Sequence, residues 1–211
     1  LGGLAIYFAF VIASLTLFHP ALGRTIEAIH WEQSQFFALL LGASVALVLG
    51  VFDDALDLAA RWKLAVQIAA ATVAYAGGFR IDMITVPFGG AVSLGVLGYP
   101  VTVLWFLACM NAIHLLDGLD GLAAGASLFA SITLFLVGAL YDQGSAMFFM
   151  ACLAGSTLGF LIYNFYPASI FLGDSGSLLL GFLLAALALV QKTRKAETAL
   201  TLLVPLIALG V

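Results

Sequence analysis

Asn111 to Gly125 reads NAIHLLDGLDGLAAG, and it sets two carboxylates, Asp117 and Asp120, three residues apart between two long apolar runs. An ionised group at membrane depth costs several kcal/mol, so an Asp in such a place calls for a partner and a role. Two more stretches of the same kind offer partners: FDDALDL, from Phe52 to Leu58, and NFYPASIFLGDSGS, from Asn164 to Ser177.

The apolar runs around these stretches dominate the chain. Of its 211 residues, 64% are hydrophobic and 9% charged, with a mean hydropathy of +1.19; a soluble domain carries roughly a quarter charged residues. Several runs approach the ~20 residues that cross a bilayer as helix, and open sheets cannot satisfy their backbone in lipid. The expected fold is therefore an all-α polytopic membrane bundle. A β-barrel would alternate in polarity, and these runs do not. A net charge of −4, with seven scattered Lys and Arg, excludes a nucleic-acid partner, which would require a basic patch. Cys109 and Cys152 lie inside apolar spans with no metal-ligand spacing around them and read as small core residues.

Taken in order, the chain gives eight expected spans: Leu1 to Phe18, Phe36 to Phe52, Leu64 to Gly77, Tyr99 to Ile113, Leu122 to Tyr141, Ala146 to Tyr163, Leu178 to Val190, and the start of one from Thr198. His19 to Gln35, with Trp31, reads as an interfacial segment. Phe79 to Gly98 alternates apolar and polar residues around Pro87 and Gly89-Gly90, a hairpin signal. The whole of 1–211 reads as one transmembrane catalytic domain with the 79–98 hairpin as an insertion outside the membrane. Leu1 begins within an apolar run and Val211 ends within one, so further helices are expected beyond both ends.

Two spans separate each Asp-bearing stretch from the next, so all three open on one membrane face. Six of the eleven acids gather there: Asp53, Asp54, Asp57, Asp117, Asp120 and Asp174. Lys and Arg are normally in excess on the cytoplasmic side. Here only Arg61 and Lys63 share the Asp-rich face, whereas Arg24, Arg80, Lys192, Arg194 and Lys195 fall opposite. That count argues against a cytoplasmic Asp-rich face, unless basic loops beyond the ends reverse it.

Two carboxylates about 4 Å apart repel by roughly 4 kcal/mol at an effective dielectric of 20, so gathering several needs a cation. Oxygen ligands without Cys or paired His point to Mg²⁺ or Mn²⁺. Mg²⁺ takes one or two protein carboxylates and completes its shell with water and substrate phosphate, which makes a diphosphate the natural substrate. Gly118 and Gly121 leave the backbone open to a ligand at the start of one helix, as do Gly173 and Gly176 at another, where amides can face an anion. A plainer reading exists for single residues. Asp120, Asp174, Ser175 and Ser177 are good helix N-caps; His114 fits a hydrogen-bonded core residue; Lys63 can snorkel as well as bind phosphate; Asn164 fits a turn. Capping does not explain Asp53 and Asp54, which trail their helix at the end where its dipole disfavours negative charge, nor three such stretches on one face.

Together the three stretches, with KLAVQ at Lys63 to Gln67 and the hairpin, resemble the polyprenyl-phosphate N-acetylhexosamine-1-phosphate transferases over nearly the whole chain. That resemblance implies ten or eleven helices, and transfer of a sugar-1-phosphate from a UDP-sugar to undecaprenyl phosphate with release of UMP. It also implies Mg²⁺, membrane lipid as surroundings, a bacterial inner-membrane location with the site facing the cytoplasm, and commonly a homodimer. By motif position, Asp174 corresponds to the magnesium ligand. Asp53 and Asp54 correspond to the pair that deprotonates or positions the lipid phosphate, with Asp117 nearby. Phe171, Asp120, Gly118 and Leu119 fall where the family holds the uracil, and Asn164 where it contacts the diphosphate.

Two departures stand out: His114 occupies the position of a second Asn that contacts substrate, and the family's late His-rich cytoplasmic loop is absent from these residues. NFYPA and Asp57 resemble the N-acetylglucosamine branch more than the phospho-MurNAc-pentapeptide branch, which favours UDP-GlcNAc as donor. The rival readings are a prenyltransferase that releases pyrophosphate, and a cation-coupled transporter with an Asp-lined site. Such carriers are built from repeated halves, and no internal repeat is evident here.

Overall fold

The computed structural model of the chain describes residues 2–16, 33–86 and 90–190. Seven α-helices and one hairpin are present among them. In chain order they are α1 (Gly2–Leu15), α2 (Gln33–Leu56), α3 (Ala60–Ala76), β1 (Met83–Val86), β2 (Gly90–Ser93), α4 (Gly98–Leu116), α5 (Leu122–Leu140), α6 (Gly144–Asn164) and α7 (Gly173–Val190). Among the described residues, five segments are long and apolar enough to cross a membrane: Ser34–Leu56, Gly95–Leu116, Leu122–Leu140, Gly144–Asn164 and Gly173–Val190, with Gly2–Leu15 a shorter apolar helix. The protein is a helical, multi-pass membrane protein. The expected eighth span and most of the expected interfacial segment lie outside the described residues.

The bundle is organised around α7. Its sequence, GDSGSLLLGFLLAALALV, is apolar on every side beyond the first turn, and every residue from Ser175 to Ala188 is buried; a helix hydrophobic all round belongs at the centre. α1, α2, α4, α5 and α6 pack against it, α2 and α4 most extensively, while α3 packs on α2 and α4. Small residues allow the closest approaches, as is usual where lipid supplies no hydrophobic drive between helices: Gly3 and Gly50 lie against the backbone at Ser175, and Gly181 against that of Met110. The buried Trp105 indole donates to the Ala185 carbonyl at 3.1 Å, and the hydroxyls of Tyr7 and Ser44 join α1 to α2 at 2.6 Å.

The hairpin forms where its alternation predicts. β1 and β2 pair antiparallel with Met83 opposite Ser93 and Val86 opposite Gly90, at the bundle end opposite the Asp-bearing stretches.

At four helix ends the difference from the expected span moves chemistry onto a helix. α2 continues to Leu56, so Asp53 and Asp54 sit in its last turn and not behind it. α3 begins at Ala60, taking in Arg61 and Lys63. α4 runs to Leu116 and carries His114. α7 begins at Gly173, so the whole GDSGS segment is its first turn. Reading spans by apolarity alone cut each helix where its first polar residue appeared, although a polar end turn costs a helix little when other groups receive its charges.

Candidate active site

The C-terminal end of α2 meets the N-terminal end of α7. Asp54 would be disfavoured by the dipole of its own helix, but here it faces the amide end of another. The Asp174 N–H donates to Asp54 Oδ1 at 2.8 Å and the Ser175 N–H to Oδ2 at 3.3 Å. Asp54 thus caps α7 from another helix, filling the role that Asp174, Ser175 and Ser177 were candidates for within it. Gly173 is required at this junction: its φ is +71°, and a Cβ there would stand 2.9 Å from Asp54 Oδ2.

Asp53, one residue earlier, is buried and points the other way. Its Oδ1 accepts the Leu58 N–H at 2.9 Å, and its Oδ2 lies 2.6 Å from Lys63 Nζ. The same ammonium is 3.8 Å from Asp174 Oδ2, so Lys63 is engaged with two carboxylates and does not merely snorkel. His114 Nδ1 approaches the other oxygen of Asp174 at 3.3 Å and lies 3.4 Å from Ser177 Oγ. Asp53, Lys63, Asp174 and His114 therefore form one chain of alternating carboxylates and nitrogen bases.

On one side of this chain is a cavity of about 290 Å³ lined by Asp53, Ala60, Lys63, Leu64, Gln67, Asn111, His114 and Leu178. Asn111 Nδ2 donates there to Gln67 Oε1 at 3.1 Å. Neither residue was singled out from the sequence. The available signal was spacing: Lys63 and Gln67 at i and i+4, Asn111 and His114 at i and i+3, each a polar pair on one face of an otherwise apolar helix.

A second cavity, of about 280 Å³, is lined by Asp117, Gly118, Leu119, Asp120, Asn164, Phe171, Leu172 and Gly173. All the residues expected around a uracil or diphosphate converge here, though they come from two stretches more than forty residues apart. Asn164 is buried and clamps them: its Oδ1 accepts the Gly121 N–H at 3.2 Å and its Nδ2 donates to the Ile170 carbonyl at 3.0 Å. Asp120 Oδ2 accepts the Ala168 N–H at 3.1 Å, so it ties the loop before α7 to the loop before α5 and does not cap α5. That cap is Gly121, with φ of +73° and no side-chain bond.

Asp117 closes α4 and faces the start of α7. Burial, reinforced by the charges of Asp174 and Asp54, pushes its carboxyl up to about 7, against a Gly173 N–H that favours the ionised form. Its ordinary value is 3.8, so between about pH 4 and 7 the folded protein holds a proton that the unfolded chain has released. This group's contribution to stability is therefore full below about pH 4 and falls as pH rises towards 7. In EDTA, Asp117→Asn should flatten the decline in Tm over that range, and an unchanged slope would refute the assignment.

The residues suit a hard divalent cation. The donors on offer are carboxylate oxygens already gathered against one another, with the Asp174 side chain 26% exposed. Among the described residues no three His, Cys, Asp or Glu side chains converge into a ready-made cage. Mg²⁺ does not need one, since it keeps water and substrate oxygens in most of its shell.

The fold and site together define a multi-pass helical membrane protein with a carboxylate-rich cluster beside two small cavities. The sequence pattern of Glycosyl transferase family 4 matches residues 36–192, and the chain belongs to that family. It is 37% identical to a probable undecaprenyl-phosphate N-acetylglucosaminyl 1-phosphate transferase of Bacillus subtilis, over 95% of this chain and 56% of the relative. It is 40% identical to a decaprenyl-phosphate N-acetylglucosaminephosphotransferase of Mycobacterium leprae, over 88% of this chain and 49% of the relative. A phospho-N-acetylmuramoyl-pentapeptide-transferase of Desulforudis audaxviator is also 40% identical, over 73% of this chain and 53% of the relative. The chain spans about half the length of the curated relatives it matches.

Proposed function

We propose that this protein transfers N-acetylglucosamine-1-phosphate from UDP-GlcNAc to undecaprenyl phosphate, releasing UMP, at the cytoplasmic face of the bacterial inner membrane as the first step of a surface or cell-wall glycan. The observation that carries this reading is the cavity of Asp117, Gly118, Leu119, Asp120, Asn164 and Phe171 opening beside Asp174. It offers an aromatic face and backbone groups for a nucleobase, near the cluster where carboxylates and Lys63 can manage phosphate charge.

The chemistry asks for positioning and charge neutralisation more than for a strong base, because a phosphate oxygen is itself the nucleophile. Asp174, assisted by Asp117, would hold Mg²⁺ or Mn²⁺, which when bound neutralises the diphosphate. Lys63 offers a second positive charge on the side of the other cavity, where the acceptor phosphate fits beside Asp53. Asp53 is ion-paired and buried, which suits orientation of Lys63 better than proton removal. Asp54 holds the α7 amide end in place. Asn164 and Asp120 keep the nucleotide cavity in shape.

Relatives named for N-acetylglucosamine support that sugar, and those named for phospho-N-acetylmuramoyl-pentapeptide keep the second donor as the alternative. The same relatives favour a transferase over the transporter reading. The test is UMP release by membranes containing the full-length protein, supplied with undecaprenyl phosphate and Mg²⁺. Release with UDP-GlcNAc is expected; release only with UDP-MurNAc-pentapeptide would move the protein to the other branch, and release with neither would end the transferase reading.

A further inference from the structure

Phe171 supplies the aromatic face of the nucleotide cavity, yet it is 67% exposed, so packing does not fix its ring. The backbone around it does. On one side the Ile170 carbonyl accepts Asn164 Nδ2 at 3.0 Å. On the other, Leu172 is buried, and Gly173 turns the chain into α7 with φ of +71°. The Phe171 carbonyl itself accepts the Gly2 N–H at 3.2 Å, from the first turn of α1. Among the described residues α1 lends no side chain to this cavity. It reaches the site through that bond and through Gly3, which lies against the backbone of Ser175 and Gly176.

Gly2 is buried, and the fit leaves no room for a side chain. A Cβ there would stand 2.5 Å from the Phe160 ring and 2.7 Å from the Phe171 carbonyl oxygen. The ring can turn aside, whereas the oxygen moves only with the turn that carries the Phe171 side chain.

We propose that Gly2 is a positioning residue for the nucleobase: the first turn of α1 sets where the Phe171 ring stands, and with it the affinity for the uridine half of the donor. The inference rests on the reading of this cavity as the nucleotide site and holds for either UDP-sugar. A base gains affinity from an aromatic ring only where the two faces meet, so a small displacement of the turn is felt in binding. The effect runs both ways. A ligand that binds the closed turn and not the opened one makes opening rarer, so it should protect the Gly2 amide.

The test is hydrogen exchange and kinetics on the full-length protein in detergent. In the wild type, UMP is expected to slow exchange in the first turn of α1 together with residues 117–121, while the hairpin amides keep their rate. In Gly2→Ala, the KM for the UDP-sugar and the inhibition constant of UMP should rise together by roughly tenfold, the scale on which a stacked base contributes. The kcat and the KM for undecaprenyl phosphate should stay nearly unchanged. A merely structural role would lower the active fraction, hence kcat, and leave both nucleotide constants where they were. That result, or UMP protection at residues 117–121 without any in α1, would overturn the inference and leave the nucleotide cavity standing. UMP that alters exchange at neither place would overturn both. The exchange arm requires no variant to fold.

Discussion

Asp174→Asn is expected to reduce UMP release by at least about a hundredfold, the scale on which single electrostatic contributions to charged transition states are lost. The substitution is isosteric and leaves the backbone N–H that donates to Asp54 untouched, so the α2–α7 junction persists. It removes a charge that Lys63 and His114 approach and that suits the amide end of α7, worth roughly 0.3–1 kcal/mol. It also relieves repulsion from Asp117, for which Asp174 is the leading neighbouring charge. These effects oppose each other, and Tm should move little. Activity lost with stability kept is the signature of a functional charge. A variant that retains more than a tenth of wild-type UMP release would remove Asp174 from the centre of the site.

The sequence made the site legible in its parts and its location, because charge is costly in an apolar chain and span parity places the three Asp stretches on one face. Asp54, Asp117, Asp120 and Asp174 do meet there through backbone partners from other stretches. The division of labour was not legible. Asp53 and Asp54 are adjacent and chemically identical, yet on a helix neighbouring side chains point about 100° apart, so one faces Lys63 and the other the α7 amides. Likewise Asn164 reads as a turn residue locally, and its Nδ2 does bond the nearby Ile170 carbonyl, but its bond from the Gly121 N–H exists only once α6 lies beside the α5 start. Helix ends were misjudged for a related reason: whether a polar turn stays helical depends on groups brought in from elsewhere in the chain. The hairpin, whose signal is local alternation and a turn, was placed correctly.

Gly50→Ala should impair the protein although it lies outside both cavities and adds a single methyl group. Gly50 is on the face of α2 that touches α7, and a Cβ there would overlap the backbone of Asp174 and Ser175. Backbone cannot rotate aside as a side chain can, so the two helices must separate. Overpacking of this kind costs typically 1–3 kcal/mol. The displacement would fall on the turn that carries Asp174, opposite Asp53 and Asp54 one helical turn further along α2. A shift of about 1 Å can cost a hundredfold in rate when reacting groups must be held in line. The expected outcome is therefore a lowered Tm in detergent together with a loss of UMP release larger than the loss of folded protein. Gly155, on α6 with open space around its Cβ position, is the matched control, and Gly155→Ala should alter neither by much. Equal behaviour of the two variants would mean that the close contact of α2 with α7 does not set the geometry of the site.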